Sequence, residues 1–271
     1  MRKTRKILLA AAFLFTATYI AIAIRVAMYE NTMQPLVAAP APMATVAIFG
    51  ASGTAGDGIL KSALANPDID TIHVVTRRTT ERMRQGVDAG KVIVTTHMDY
   101  LDYSDIIDSL AEVDAVFWAI GLSSIGVDEE PYREIHVDFP VQFVTQWLAA
   151  GAKPGASFHY ISSSDISEES SAMWARVKVE AENELFSLAD GSPVRVIAYR
   201  PDYIGPTEEE AHLGQQVLYW FFAPIGVAVK ATQIGEAMME VTARRTEHAN
   251  GDRLGTWKIR KYSDAYLQRL Q

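Results

Sequence analysis

Val46-Ala47-Ile48-Phe49-Gly50-Ala51-Ser52-Gly53-Thr54-Ala55-Gly56 is a short apolar run that breaks into three glycines, each separated from the next by two residues. A run of this length with β-branched residues predicts a buried parallel strand, and the glycines let the backbone turn sharply and approach a ligand closely. The helix that follows opens with free N–H groups and the positive end of its dipole, which favour a pyrophosphate. Gly50, Ser52, Gly53, Thr54, Ala55 and Gly56 are therefore candidate cofactor-binding residues. The spacing is G-x-x-G-x-x-G, with Ser52 where the more familiar G-x-G-x-x-G has its second glycine. Alone it does not separate a ligand site from a glycine-rich turn. Neither a phosphate-loop Gly-Lys-Ser/Thr nor the flanking glycines of a G-x-S-x-G nucleophile elbow is present.

The 271 residues suffice for one large α/β domain or two small ones, and at 49% hydrophobic they can fill a sizeable core. The formal net charge is -8, but Arg2, Lys3, Arg5, Lys6 and Arg25 all precede the first acid, Glu30. Taking those five from the 25 Lys and Arg leaves 20 against 33 Asp and Glu, a balance that argues against a nucleic-acid-binding body. The absence of cysteine excludes disulfides, Cys-ligated zinc and thiol catalysis. His73, His97, His136, His159, His212 and His248 show no i, i+4 pairing with a carboxylate partner of the zinc-protease type, so no metal is expected.

From Ile7 to Ile24 the chain runs eighteen residues without a charge, closed by Arg25. That is the lower edge of a membrane-spanning helix and too long for a typical signal-peptide core, which favours an uncleaved anchor. A secretory signal cleaved near Val37 to Ala39 and an organelle presequence are the alternatives. The basic cluster before the span predicts a cytoplasmic N-terminus, placing the body across the membrane, where NADP(H) is scarce. Residues 1–29 thus read as anchor or signal, 30–44 as an Ala/Pro-rich linker, and 45–271 as the folded body.

Downstream, a helix over Ala55–Ala65 stops at Asn66-Pro67, and strands are predicted at Thr71–Thr76, Lys91–Thr96, Val113–Trp118 and Ser157–Ile161. Pro131–Ala150 reads as helical, interrupted near Pro140 and stopped by Gly151. Alternation of this kind predicts a doubly wound parallel sheet with helices on both faces. Arg77 and Arg78 end the second strand, where an acid would bind the ribose 2′-hydroxyl of NAD and an arginine accommodates the 2′-phosphate of NADP. NADP is therefore expected over NAD, the plain alternative being two solvated arginines. Asp99 is placed to meet an adenine amino group, and Ala119-Ile120-Gly121 offers small residues against which a cofactor can lie.

The fifth strand runs into Ser162-Ser163-Ser164, and Trp174-Ala175-Arg176-Val177-Lys178 follows on a helix-like stretch, with 174 and 178 on one face. In order and spacing, Gly50/Gly53/Gly56, Thr76-Arg77-Arg78, Ala119-Ile120-Gly121, Val137-Asp138, Ser162-Ser163, Lys178 and Tyr199-Arg200-Pro201 resemble the short-chain dehydrogenase/reductase superfamily. Within it they are most similar to atypical and extended members such as the HIV-Tat-interactive-protein-like reductases. The resemblance implies a Rossmann-type fold, with Pro201 at the cofactor, Ser163 orienting a substrate carbonyl and Lys178 binding the nicotinamide ribose. A tyrosine proton donor is expected four residues before that lysine, and Trp174 stands there instead. Indole donates a hydrogen bond but has no usable acid–base ionisation.

Three readings stay open. Tyr160, Tyr199, Tyr203 or water replaces the missing acid, with Tyr203 preferred because Arg200 to Pro206 resembles the R-P-x-x-x-G-P segment bordering the nicotinamide. Alternatively, the protein binds NADP(H) without turnover, as a sensor or scaffold. In the third, Trp174, with Tyr203, lines a pocket for an apolar or aromatic substrate. The plain alternative for Lys178 is a surface lysine among Glu180, Glu182 and Glu184. Beyond a loop at Glu208–Glu210 and His212, the apolar Val217–Val229 reads as a core element, or else as a lid or membrane-facing surface carried by Trp220 to Phe222. An amphipathic helix over Thr232–Arg244, a strand at Gly255–Lys261 and a surface helix at Ser263–Leu270 complete the chain. The expected partners are a small, lipophilic carbonyl or alcohol and a membrane through residues 7–24, with no nucleic acid; an oligomer is compatible.

Overall fold

The computed structural model describes residues 2–30, 39–207, 209 and 213–271. Helix α1 (Arg2–Glu30) carries the apolar run. Its Thr4–Met28 stretch, whose most apolar 18 residues have a mean hydropathy of 2.4, is the one helix among the described residues long and apolar enough to cross a membrane. The expected cleavage region at Val37, most of the linker, and Glu208, Glu210 and His212 lie outside the described residues.

Strand β1 (Thr45–Phe49) leads through the glycine turn into α2 (Thr54–Ala65), which ends at Asn66 because Pro67 cannot continue it. Then follow β2 (Thr71–Thr76), α3 (Glu81–Asp88), β3 (Val92–Thr96), the short α4 (Ile107–Leu110) and β4 (Ala115–Trp118). The expected long helix is α5 (Glu129–Arg133), a π-helical turn at Glu134–Asp138 and α6 (Phe139–Ala149), so the interruption falls just before Pro140. Next come β5 (Ser157–Ile161), α7 (Met173–Ala189), β6 (Arg195–Arg200) and β7 (Tyr203–Gly205). The chain closes with α8 (Leu213–Phe222), a 3₁₀ turn at Ala223–Ile225, β8 (Ala228–Lys230), α9 (Ala231–Ala243), β9 (Asp252–Gly255) and α10 (Thr256–Arg269).

Seven strands form one parallel sheet in the order β3-β2-β1-β4-β5-β6-β9, and β7 pairs with β8 in a second, parallel sheet of two. This is the doubly wound, Rossmann-type sheet expected, behind an N-terminal apolar helix. Strand order reverses between β1 and β4, and in open α/β sheets the ligand crevice lies outside the carboxyl ends of the strands at such a point. Alternation along β1 divides the core. Val46 and Ile48 join α2, α9 and α10 on one face, while Ala47 and Phe49 join Phe143, Trp147 and Leu185 on the other.

Three expectations for the C-terminal part need correction. The last strand is Asp252–Gly255 and the helix already begins at Thr256, because Leu254 pairs beside Tyr199 of β6 while Thr256, Ile259, Tyr262, Ala265 and Tyr266 form a buried helical stripe. Helix α9 is buried nearly all round, being packed between α2 and α10. Val217–Val229 is no core element over its helical part, since none of the α8 residues is buried.

Buried ion pairs bind these layers. Glu240, fully buried, accepts Arg244 Nε and Arg269 Nε at 2.8 Å each and so links α9 to α10. Removing one partner of a buried pair strands the other charge, at a cost of about 3–5 kcal/mol. Glu240→Ala is therefore expected to lower the melting temperature of the full chain in mild detergent by roughly 10 °C. Glu81→Ala, which breaks only exposed contacts, the pair with Arg84 and a 3.4 Å hydrogen bond from Gln85, leaves it unchanged.

Candidate active site

The crevice starts at the glycine turn. Gly50 has φ +80°, and a Cβ there would lie 2.6 Å from the Ala119 carbonyl, so only glycine lets the turn close onto the end of β4. Gly53 is the N-cap of α2 with no side-chain cap, and Thr54 and Ala55 of the first turn line the crevice. One half of the groove, about 250 Å³, is lined by Gly50, Ser52, Gly53, Arg77 and Arg78, with Tyr100 and Phe139 stacked at 5.4 Å. Both arginines are exposed, and Arg78 reaches back to the Ser52 carbonyl at 3.3 Å.

The second half, about 660 Å³, shares Gly53 and residues 119–122 with the first and adds Thr54, Ala55, Ser163, Trp174, Lys178 and Tyr203. Lys178 is buried and donates to the Ile161 carbonyl at 3.0 Å and the Tyr160 hydroxyl at 3.2 Å. Burial pushes its ammonium down to about 7, only partly opposed by Glu182 one turn on. Burial pushes Glu182 up, but hydrogen bonds from Arg200 (2.8 and 2.6 Å) and Arg253 (2.8 Å) outweigh it and keep the carboxyl low. Arg200 thus grips α7 from β6, a positioning contact that sets the turn bearing Lys178.

The three tyrosines considered as proton donors separate cleanly. Tyr199 is fully buried with its hydroxyl on His159 Nδ1 (2.9 Å), and Tyr160, also fully buried, donates to the His136 carbonyl at 3.0 Å. Only Tyr203 reaches the cleft, where it donates to the Gln215 carbonyl at 3.2 Å. Two cleft residues were not foreseen. Tyr132 has its phenol raised to about 12 by burial, and His136, whose ring lies 4.2 Å from it, is pushed down to about 3 by burial and then by Lys178. His136 is therefore a neutral imidazole at physiological pH. It sits in the π-helical turn, a backbone feature with no sequence signature beyond the break before Pro140.

Three expected contacts do not line the groove. Gly56 is a packing residue, since a Cβ there would lie 2.1 Å from the Gly50 carbonyl oxygen. Pro201 is buried, its carbonyl accepting the Ser164 N–H at 3.1 Å. Asp99 is exposed and folds onto its own backbone, accepting the Leu101 N–H at 3.0 Å, while its neighbour Tyr100 forms the wall.

The fold is that of the short-chain dehydrogenases/reductases. A short-chain dehydrogenase/reductase from Serratia marcescens superposes with a TM-score of 0.60 at 16% identity, over 79% of this chain and 97% of that one. A 3-oxoacyl-[acyl-carrier protein] reductase from Brucella melitensis in complex with NAD gives 0.61 at 14%, over 79% and 95%. In sequence, the mitochondrial protein fmp52 of Emericella nidulans is 28% identical over 187 residues, 68% of this chain and 77% of that protein. No family model matches.

The lysine makes stability depend on pH. Folded, Lys178 holds its proton only below about pH 7, against an ordinary value of 10.5. Between these values the unfolded chain binds more protons, so stability rises with pH above about 7, by up to about 1.4 kcal/mol per unit. Melting curves between about pH 7 and 9 are expected to show this rise, and Lys178→Met to lose it. Equal slopes would assign Lys178 an ordinary pKa.

Proposed function

We propose that this chain is a membrane-anchored, NADP(H)-dependent oxidoreductase of the atypical short-chain type, similar to the HIV-Tat-interactive-protein-like reductases. It would interconvert a small lipophilic carbonyl compound and its alcohol. The observation that carries this reading is the unbroken groove from the uncapped start of α2, past Ala119–Gly121, to Lys178. The groove fits a dinucleotide: a cradle too tight for any Cβ at Gly50, two arginines at one end and a buried amine at the other.

In this reading the α2 N-terminus holds the pyrophosphate, Arg77 and Arg78 the 2′-phosphate, and Lys178 the nicotinamide ribose. The bound cofactor supplies or takes the reducing equivalent. Ser163 orients the substrate oxygen, and Tyr203 or Tyr132 moves the proton that Trp174 cannot. Residues 45–271 would form the catalytic body and 1–29 the anchor. The relative from Emericella nidulans makes a mitochondrial membrane the first place to look for it.

Titrating the full chain with NADPH and NADH tests the cofactor assignment. Tighter NADPH binding is expected, lost by about tenfold or more in an Arg77→Ala/Arg78→Ala double variant with NADH unaffected. Equal affinities in the parent chain would overturn the preference. For catalysis, NADPH consumption is followed over a panel of lipophilic carbonyl compounds. General acid catalysis contributes about 10²–10⁴, so Trp174→Tyr should raise the rate toward that range, and Tyr203→Phe or Tyr132→Phe should lower it. Binding without consumption in every variant favours the second reading, suggested by Trp174 itself, of a nucleotide-binding sensor or scaffold.

A further inference from the structure

Helix α8 exposes an apolar surface: Leu213 is 81% exposed, Trp220 61%, Val217 52% and Phe221 43%. It is not isolated, because its C-terminal end is docked on α1. The Tyr19 hydroxyl donates to the Phe221 carbonyl at 2.8 Å, and the two rings stack at 5.5 Å. Two turns further along α1, Val26 is buried against Gly226 and Trp257. The anchor therefore meets the body at a fixed level along its own length.

That level is informative. Tyr19 lies six residues before Arg25, the charge that closes the apolar run, and at 1.5 Å per residue this is about 9 Å of helix. If α1 crosses a bilayer with Arg25 at its boundary, the end of α8 sits that far inside, the depth at which interfacial helices lie. The backbone there already has partners within the protein for three carbonyls. A helix end leaves its last carbonyls unpaired, which is costly in hydrocarbon. Here the Phe221 carbonyl accepts Tyr19, the Phe222 carbonyl accepts Val227 N–H at 3.3 Å, and the Ala223 carbonyl accepts Gly226 N–H at 3.1 Å and Arg260 at 3.2 Å. At the Arg25 level the chain, acidic overall, gathers cations. Arg25, Lys258 and Lys261 line a cleft of about 620 Å³ between α1 and α10, with Val26, Ile225 and Trp257 as its apolar walls.

We propose that α1, α8 and the start of α10 form one membrane-contact surface. In it α8 is embedded in the interface, and the basic cleft takes the phosphate of an anionic glycerophospholipid, its acyl chains running along the apolar walls. The proposal rests on the reading of α1 as a membrane helix, not on the cofactor or the chemistry.

The full chain is reconstituted in phosphatidylcholine vesicles with one third phosphatidylglycerol, and flotation after an alkaline wash reports α1 alone. Loss of the chain in that wash would overturn the anchor, and the proposal with it. With the chain retained, a doxyl label high on the acyl chain is expected to quench part of the tryptophan emission, a part missing in Trp220→Phe. A label near the chain end should quench that part roughly twofold less, as an interfacial depth requires. If neither label quenches Trp220, α8 lies outside the bilayer and the embedding is wrong. For the cleft, chains extracted in mild detergent are weighed with their lipids. Enrichment of phosphatidylglycerol over phosphatidylcholine is expected, and its loss in Lys258→Glu/Lys261→Glu. An equal lipid ratio in parent and variant would overturn the headgroup assignment. An unchanged melting temperature of each variant in mild detergent reports separately that its fold is intact.

Discussion

No side chain fits at Gly50, where a Cβ would strike the Ala119 carbonyl, and the crevice depends on that exclusion. Because the turn after β1 closes onto the end of β4, the reversal in strand order leaves a groove instead of a gap filled by side chains. Gly56 tightens the same contact from within α2. The start of that helix is thereby held uncapped at the centre of the groove. The sheet registers β1↔β2 and β1↔β4 carry this geometry outward to Arg78 on one side and, through β5, to Ser163 on the other.

The second constraint is electrostatic. A buried lysine beside a buried glutamate would ordinarily remain charged, since each stabilises the other. At Lys178 desolvation is the larger cause and brings the ammonium down to about 7, with Glu182 opposing it, while Arg200 and Arg253 hold Glu182 in place. The same effect leaves His136 neutral, with burial as the larger cause and the lysine as the smaller. Around Lys178 and His136 the cleft therefore offers hydrogen-bonding groups whose charge burial has reduced.

The first five strands of the sheet were legible in the chain because each is a largely apolar run bounded by turn residues, and β2 and β5 have the bounds that pattern predicts, whereas β6 and the polar β9 were not read. The groove residues at Gly50–Ala55, Arg77–Arg78 and Ala119–Gly121 were legible for the same reason, since they follow strand ends. What could not be read depends on contacts between distant segments. His136 enters the cleft through a π-helical turn, Asp99 is captured by its own backbone, and Trp257 belongs to a helix because α9 offers a surface for α10 to pack on. The apolar α8 could not be placed either, since hydropathy alone cannot tell a buried element from an exposed one.

The grip of Arg200 and Arg253 on Glu182 also bears on how the protein is made. Arg253 follows Glu182 by 71 residues, which at 5–20 residues per second is roughly 4–14 s of synthesis. Throughout that interval α7 lacks one of the two cations that seat it. The apolar α1 is by then long complete. Completion of the cleft thus trails that of α1, and whatever α1 engages is met before the helix bearing Lys178 is fully seated.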